Sequence, residues 1–442
     1  MNASLQIGIA IASVAILLGL MTLIRRGATQ YGLSAEVQRK LVHIATGLYA
    51  LSWPWLFPDR WPAYLLVGIT LIVLIVLRVS RSAKAGVGAT LHSVDRRSYG
   101  DILLAIAVGL CLFLARDDLI LYVLPIAVLT LSDAAAALVG GAYGKRVFQV
   151  EDGVKSVEGC VAFFVVTLVI ALISLLTMTT LPATHIITIA LIVAGFGALV
   201  EAASWRGFDN LFLPVGILIV LADTMHSDLL RLSGLVVIFA LTLLAFRVLF
   251  TRLGVGLHVS RVNVTMIFLL LAATSYQYAV TPILALAIHI WSRQANPSED
   301  RFPDLDMVAG LTLASLGWLV IGEAVGWNAI LFYGMTAMAF AGGLASLALA
   351  RKPTALRIVG LAMTVFALLA IRLWTVGLST ETSGWAGPMW GATVATLLVA
   401  MLPTSLWPDT FLKDRILKLT FLSLLVPVMS YVYATELFGL LA

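Results

Sequence analysis

Apolar runs of about 20 residues, the length that carries a helix across the hydrocarbon core of a bilayer, recur along this chain from Leu5–Leu23 to Leu417–Leu437. Inside lipid every backbone N–H and C=O must find its partner within the protein, so long apolar segments of this kind fold as helices. Only 12% of the 442 residues are charged while 61% are hydrophobic, about half the charged share of a soluble domain. The pattern predicts an all-α, polytopic transmembrane helical bundle of about 14–16 spans. The first run lacks a basic start and exceeds the core of a signal peptide, so it reads as a retained span.

The net charge of +5 is carried by Lys and Arg in short loops, where it orients spans and gives no nucleic-acid footprint. Arg25 and Arg26 after the first run place that end in the cytoplasm. Following the spans from there, four polar clusters, around Arg39, Arg97, Lys155 and Asp209, fall on the cytoplasmic side. Beyond about residue 255 apolar spans continue, Met266–Ile290 among them, without a second copy of these clusters. The expected division is a membrane domain over 1–250 that carries the chemistry and a separate bundle over 251–442. Transporters repeat their broken helices in two halves, and the polar motifs here occupy one half only. Cys111 and Cys160 lie in or beside apolar runs and read as packing residues.

The stretch Leu131–Phe164, LSDAAAALVGGAYGKRVFQVEDGVKSVEGCVAFF, is the most informative. Asp133 sits within an apolar helix, and an intramembrane carboxylate is costly enough to suggest function. Gly140, Gly141 and Gly144 permit close backbone approach at a helix end, although the GxxxG spacing of Gly140 and Gly144 also describes plain helix packing. After a short charged loop, Lys155 suits a phosphate charge, and Ser156 suits a phosphate oxygen or a helix cap. The next helix starts near Glu158 with its amides facing the same loop. Asp133 and Glu158 are hard oxygen ligands of the sort that hold Mg²⁺ with nucleotide phosphates. Upstream, Glu36, Lys40, His43 and Gly47 share one face of a helix that Ser34 caps.

The central stretch resembles the nucleotide-binding signature of the CTP-dependent polyprenol kinases, the dolichol kinase and phytol kinase family. Asp133, Ala136, Gly140, Gly144, Lys155, Ser156, Glu158 and Gly159 match that signature. Val154 replaces a Lys, Ser156 replaces a Thr, and the spacer is one residue longer. Glu36–Gly47 (EVQRKLVHIATG), Arg96–Ile102 (RRSYGDI) and Ala198–Val215 (ALVEAASWRGFDNLFLPV) resemble further segments of the same family, most of all its phytol kinase branch. Together the matches cover roughly residues 34–250.

The resemblance implies an integral-membrane kinase that moves the terminal phosphate of CTP onto an isoprenoid alcohol such as phytol, farnesol, dolichol or another polyprenol. Mg²⁺ or another divalent cation would assist, and membrane lipid would surround the site. The expected catalytic residues are Asp133, Lys155 and Asp209. The expected nucleotide-binding residues are Gly140, Gly144, Lys155, Ser156, Glu158, Gly159, Arg39 and Lys40. His43, Glu201 and Asn210 are expected at the alcohol, and Asp133 with Glu158 at the metal. An enzymatic alternative with the same reagents is a cytidylyltransferase acting on a lipid phosphate.

Overall fold

The computed structural model describes residues 3–79, 99–150, 153–252, 254, 256–274, 276–379 and 389–435. It is an all-α, polytopic membrane fold, divided into two compact units, Met1–Thr265 and Met266–Ala442. Among the described residues, eight helices are long and apolar enough to cross a membrane, and five shorter apolar helices accompany them. The higher number expected from sequence also counts such short helices and amphipathic ones.

In the first unit, α1 (Ala3–Gln30) runs beside α2 (Ala35–Leu51) and α4 (Trp61–Val79), with the one-turn α3 (Trp53–Leu56) between the latter two. Ser34 starts α2 by accepting the Val37 amide, as its sequence position suggests. Next come α5 (Gly100–Leu114) and α6 (Leu119–Ala127), which leads into a π-helical turn, Val128–Ser132, and then α7 (Asp133–Tyr143). Pro125 in α6 has no N–H for the helical ladder, and the wider turn follows directly. A small antiparallel hairpin, β1 (Val147–Val150) with β2 (Gly153–Ser156), stands where the sequence suggested a plain loop.

Helices α8 (Val157–Met178), α9 (Ala183–Ala203), α10 (Asp209–Thr224), α11 (Leu229–Arg252) and α12 (Leu257–Ala273) complete the unit up to residue 265. The core centres on α10, in which every residue from Asn210 to Leu221 is buried. It packs against α5, α6 and α9.

The expected single span Met266–Ile290 is corrected by the structure. Helix α12 ends at Ala273 and α13 (Tyr276–Ala295) starts anew. Thr274 turns both its amide and its hydroxyl onto the Leu270 carbonyl, closing the last turn. In the second unit, α15 (Ile330–Leu349) is buried almost throughout and is packed by α13, α14 (Pro303–Val325), α16 (Thr354–Gly377), α17 (Trp390–Leu406) and α18 (Arg415–Ala434). Its small residues admit close neighbours, as where Gly342 lies under Met401. Asp304 in this unit receives His289 at 3.0 Å and Arg293 at 2.6 Å.

Candidate active site

The first unit gathers its charges where α2 crosses the π turn. Gly47 makes that crossing possible, because a Cβ there would lie 2.1 Å from the Thr130 hydroxyl. One face of α2 therefore meets the start of α7. Lys40 donates to both oxygens of Asp133, at 2.6 and 2.7 Å. The two residues are 4% and 5% exposed, so neither charge is shared with bulk water. His43 Nε2 donates to the Leu129 carbonyl of the π turn at 3.0 Å and stands 3.3 Å from Asp133 Oδ2. A buried carboxylate held this way is tolerable only while its partners stay.

A second ion pair comes from the hairpin. Its register sets Lys155 opposite Phe148, and Arg261 stacks over the Phe148 ring at 4.7 Å. Lys155 Nζ reaches Glu201 Oε1 at 2.5 Å and also donates to the Glu201 carbonyl and the Ser204 hydroxyl. Burial pulls the pKa of the Lys155 ammonium down, but Glu201, then Asp209, outweigh it and hold the pKa above the usual lysine value.

The turn after α9 supplies the third acid. Arg206 and Gly207 adopt positive φ, 47° and 84°, which is easy only for glycine. This folds the chain back so that Asp209 opens α10 beside Glu201. Asp133, Glu201 and Asp209 each present an oxygen within 4.8 Å of the others. Oxygen ligands of one divalent cation are at most about 4–5 Å apart, so the three fit a common ion with little movement. Glu201 Oε2 and Asp209 Oδ1 are buried without a hydrogen-bond partner. Such atoms are costly unless something else meets them, and a cation is the natural complement.

The expected metal pair, Asp133 with Glu158, is not what the structure gathers. Glu158 turns instead to the Arg146 backbone amide, 3.2 and 3.3 Å from its two oxygens. It orders the glycine-rich turn. Gly140, Gly144 and Gly159 make that turn compact around Ser156. A Cβ at Gly144 would lie 2.3 Å from the Gly140 carbonyl, and one at Gly159 would lie 2.8 Å from the Ala136 carbonyl. Ser156 caps α8 by accepting the Gly159 amide at 3.1 Å.

Arg39 pairs with Glu36 at 2.6 Å and forms part of the mouth of an apolar cavity of about 200 Å³. Asn210, buried next to Asp209, lines the same mouth with His43 and Asp101. Of the RRSYGDI segment, Arg96, Arg97 and Ser98 lie outside the described residues. Its remaining acid, Asp101, pairs with Arg78 at 3.0 Å.

Comparison with known proteins meets this geometry from another side. The phytol kinase of Synechocystis sp. is 34% identical over 222 residues, which amount to 48% of this chain and 90% of the relative. The chain belongs to the phytol kinase family. No protein-family model matches it, and no solved structure matches it either.

Within this phytol kinase family member, Asp133, Lys40 and His43 form one cluster, and Lys155, Glu201 and Asp209 adjoin it. Gly140, Gly144, Ser156 and Gly159 form the neighbouring turn, held by Glu158. Ser204 was not anticipated from the sequence, because a serine one turn past a helical glutamate has no distinguishing pattern. The lining of the cavity was not anticipated either, since it comes from six separate helices, α1 to α5 and α10.

Proposed function

We propose that the chain is an integral-membrane kinase that transfers the terminal phosphate of CTP to the hydroxyl of an isoprenoid alcohol, at the cytoplasmic face. The observation that carries this reading is the meeting of three carboxylates with the buried Lys40 and the half-buried Lys155 beside the mouth of an apolar cavity. Lysines in loops favour the cytoplasmic side.

Asp133, Glu201 and Asp209 are the residues that would hold Mg²⁺. A divalent cation bound there would supply neutralisation of charge on the phosphate oxygens. Lys155 and Lys40, which these acids hold in the structure, are then free to bind phosphate oxygens. Asp133 and Glu201 would exchange Lys40 and Lys155 for the cation while the two ammonium groups turn to phosphate, so neither buried acid is left uncompensated. The turn at Gly140, Gly144, Ser156 and Gly159 sits at the N-terminus of α8, whose amides favour an anion.

Phosphoryl transfer depends mostly on positioning and charge. The alcohol oxygen forms a bond to the terminal phosphorus, and the bond from that phosphorus to the bridging oxygen breaks. CDP leaves with the electron pair. Asp209, adjacent to Asn210 at the mouth, accepts the hydroxyl proton. Asn210 and His43 orient the hydroxyl.

The test uses purified protein in lipid with Mg²⁺, offering γ-labelled CTP and, separately, ATP, with phytol, farnesol and long polyprenols as acceptors. The expected result is label in an organic-soluble prenyl monophosphate with release of CDP, both lost in Lys155→Ala. Pyrophosphate released from CTP in the presence of a lipid phosphate, with no transfer to any alcohol, would overturn the kinase in favour of a cytidylyltransferase.

A further inference from the structure

The apolar cavity has a depth and a floor, and both bear on which alcohol fits. Its lining on α2 and the start of α3 follows one helical face, from Arg39 through His43, Thr46 and Tyr49 to Trp53. From Arg39 to Trp53 the helical rise amounts to about 21 Å. The polar groups, Arg39, His43, Asp101 and Asn210, belong to the end beside the carboxylates. At the other end Trp53 packs edge-on against Tyr49 and Phe57, with ring centroids 6.1 and 6.4 Å apart. Trp53 and Phe57 are themselves buried, so the aromatic cluster closes that end.

An isoprenoid chain contributes four main-chain carbons per unit. With staggered bonds of about 1.5 Å, each advances the chain by about 1.25 Å. Three units then reach about 14 Å and four about 19 Å, while five reach about 24 Å and overrun the floor. We propose that this cavity is a length gauge for the alcohol's hydrocarbon tail, admitting three to four isoprene units, and that Trp53 sets the upper limit. The inference rests on the kinase reading above. The cavity walls include Val14 and Leu17 of α1, Val67 of α4 and Leu104 of α5, so the tail gains by burial along most of its length. A long polyprenol would have to leave its remaining units outside or displace the floor.

The experiment is a chain-length series, geraniol, farnesol, phytol, geranylfarnesol and undecaprenol, scored as kcat/KM for phosphate transfer in the full-length protein. The wild type is expected to peak at farnesol or phytol and to fall about ten-fold or more at geranylfarnesol. Trp53→Ala is expected to recover geranylfarnesol relative to phytol by about ten-fold. Ala105→Phe, which narrows the cavity from the α5 side, moves the limit the other way and disfavours phytol relative to geraniol. The two opposite shifts separate gauging from a general loss of fold. A flat profile from phytol to undecaprenol, or a limit that neither variant moves, overturns the gauge while leaving the kinase intact. Absence of transfer to every alcohol overturns the kinase reading and the gauge together.

Discussion

Replacing Lys40 by Met removes one partner of a pair that is almost wholly buried. The remaining Asp133 charge keeps His43 at 3.3 Å but loses both short bonds from the ammonium. Stranding a buried charge in this way costs about 3–5 kcal/mol, which is about two to three and a half orders of magnitude in the unfolding equilibrium. Lys40→Met/Asp133→Asn removes the stranded charge as well, and is expected to recover more than half of that loss. Reversible unfolding in mixed micelles measures both variants. Mg²⁺ adds a second handle, because a cation bound by Asp133, Glu201 and Asp209 would stabilise Lys40→Met more than the double variant. A loss below about 1 kcal/mol in Lys40→Met, or a double variant no more stable than the single one, would refute the argument that this pair is buried and mutually dependent.

Glu201→Gln and Asp209→Asn are each expected to weaken Mn²⁺ binding by at least about ten-fold, read by paramagnetic resonance, whereas Glu158→Gln leaves it near the wild-type level. Gly144→Ala forces a Cβ against the Gly140 carbonyl and should cost about 1–3 kcal/mol, while Gly141→Ala, with open space around it, serves as the control in the same melt. Because the pKa of Lys155 is raised in the fold, its ion pair contributes stability that is fully present below the ordinary lysine pKa and is lost as pH rises through the higher folded value. A stability profile from neutral to strongly alkaline pH should therefore show a decline in the wild type, above the ordinary lysine range, that Lys155→Met lacks.

The all-helical membrane architecture was readable from the sequence because bilayer length and low charge leave few alternatives. Asp133 was readable for the same reason, as a carboxylate in an apolar helix stands out. Glu158 shows where local reasoning stops. At a helix start after a lysine and a serine it has the look of a ligand, yet the chain twelve residues earlier returns to give it an amide. Conversely, Glu201 and Asp209 sit far from Asp133 in sequence, and their convergence depends on a left-handed turn at Arg206 and Gly207. The hairpin did leave a signal, the β-branched and aromatic residues Val147, Phe148 and Val150 shortly before an Asp-Gly pair. Its charged residues made it read as a loop.

The π turn before Asp133 holds one residue more than an α-helix of the same height would need. Winding the same residues from Val128 to Ser132 as a regular α-helix, with none removed, would swing everything beyond them by about 100°. Every side chain of the site would survive such a rewinding, yet Asp133 would face away from Lys40. A graft of these residues onto an uninterrupted α-helical scaffold would conserve the letters and lose the centre. Phase along the helix is therefore inherited with the carboxylate it presents.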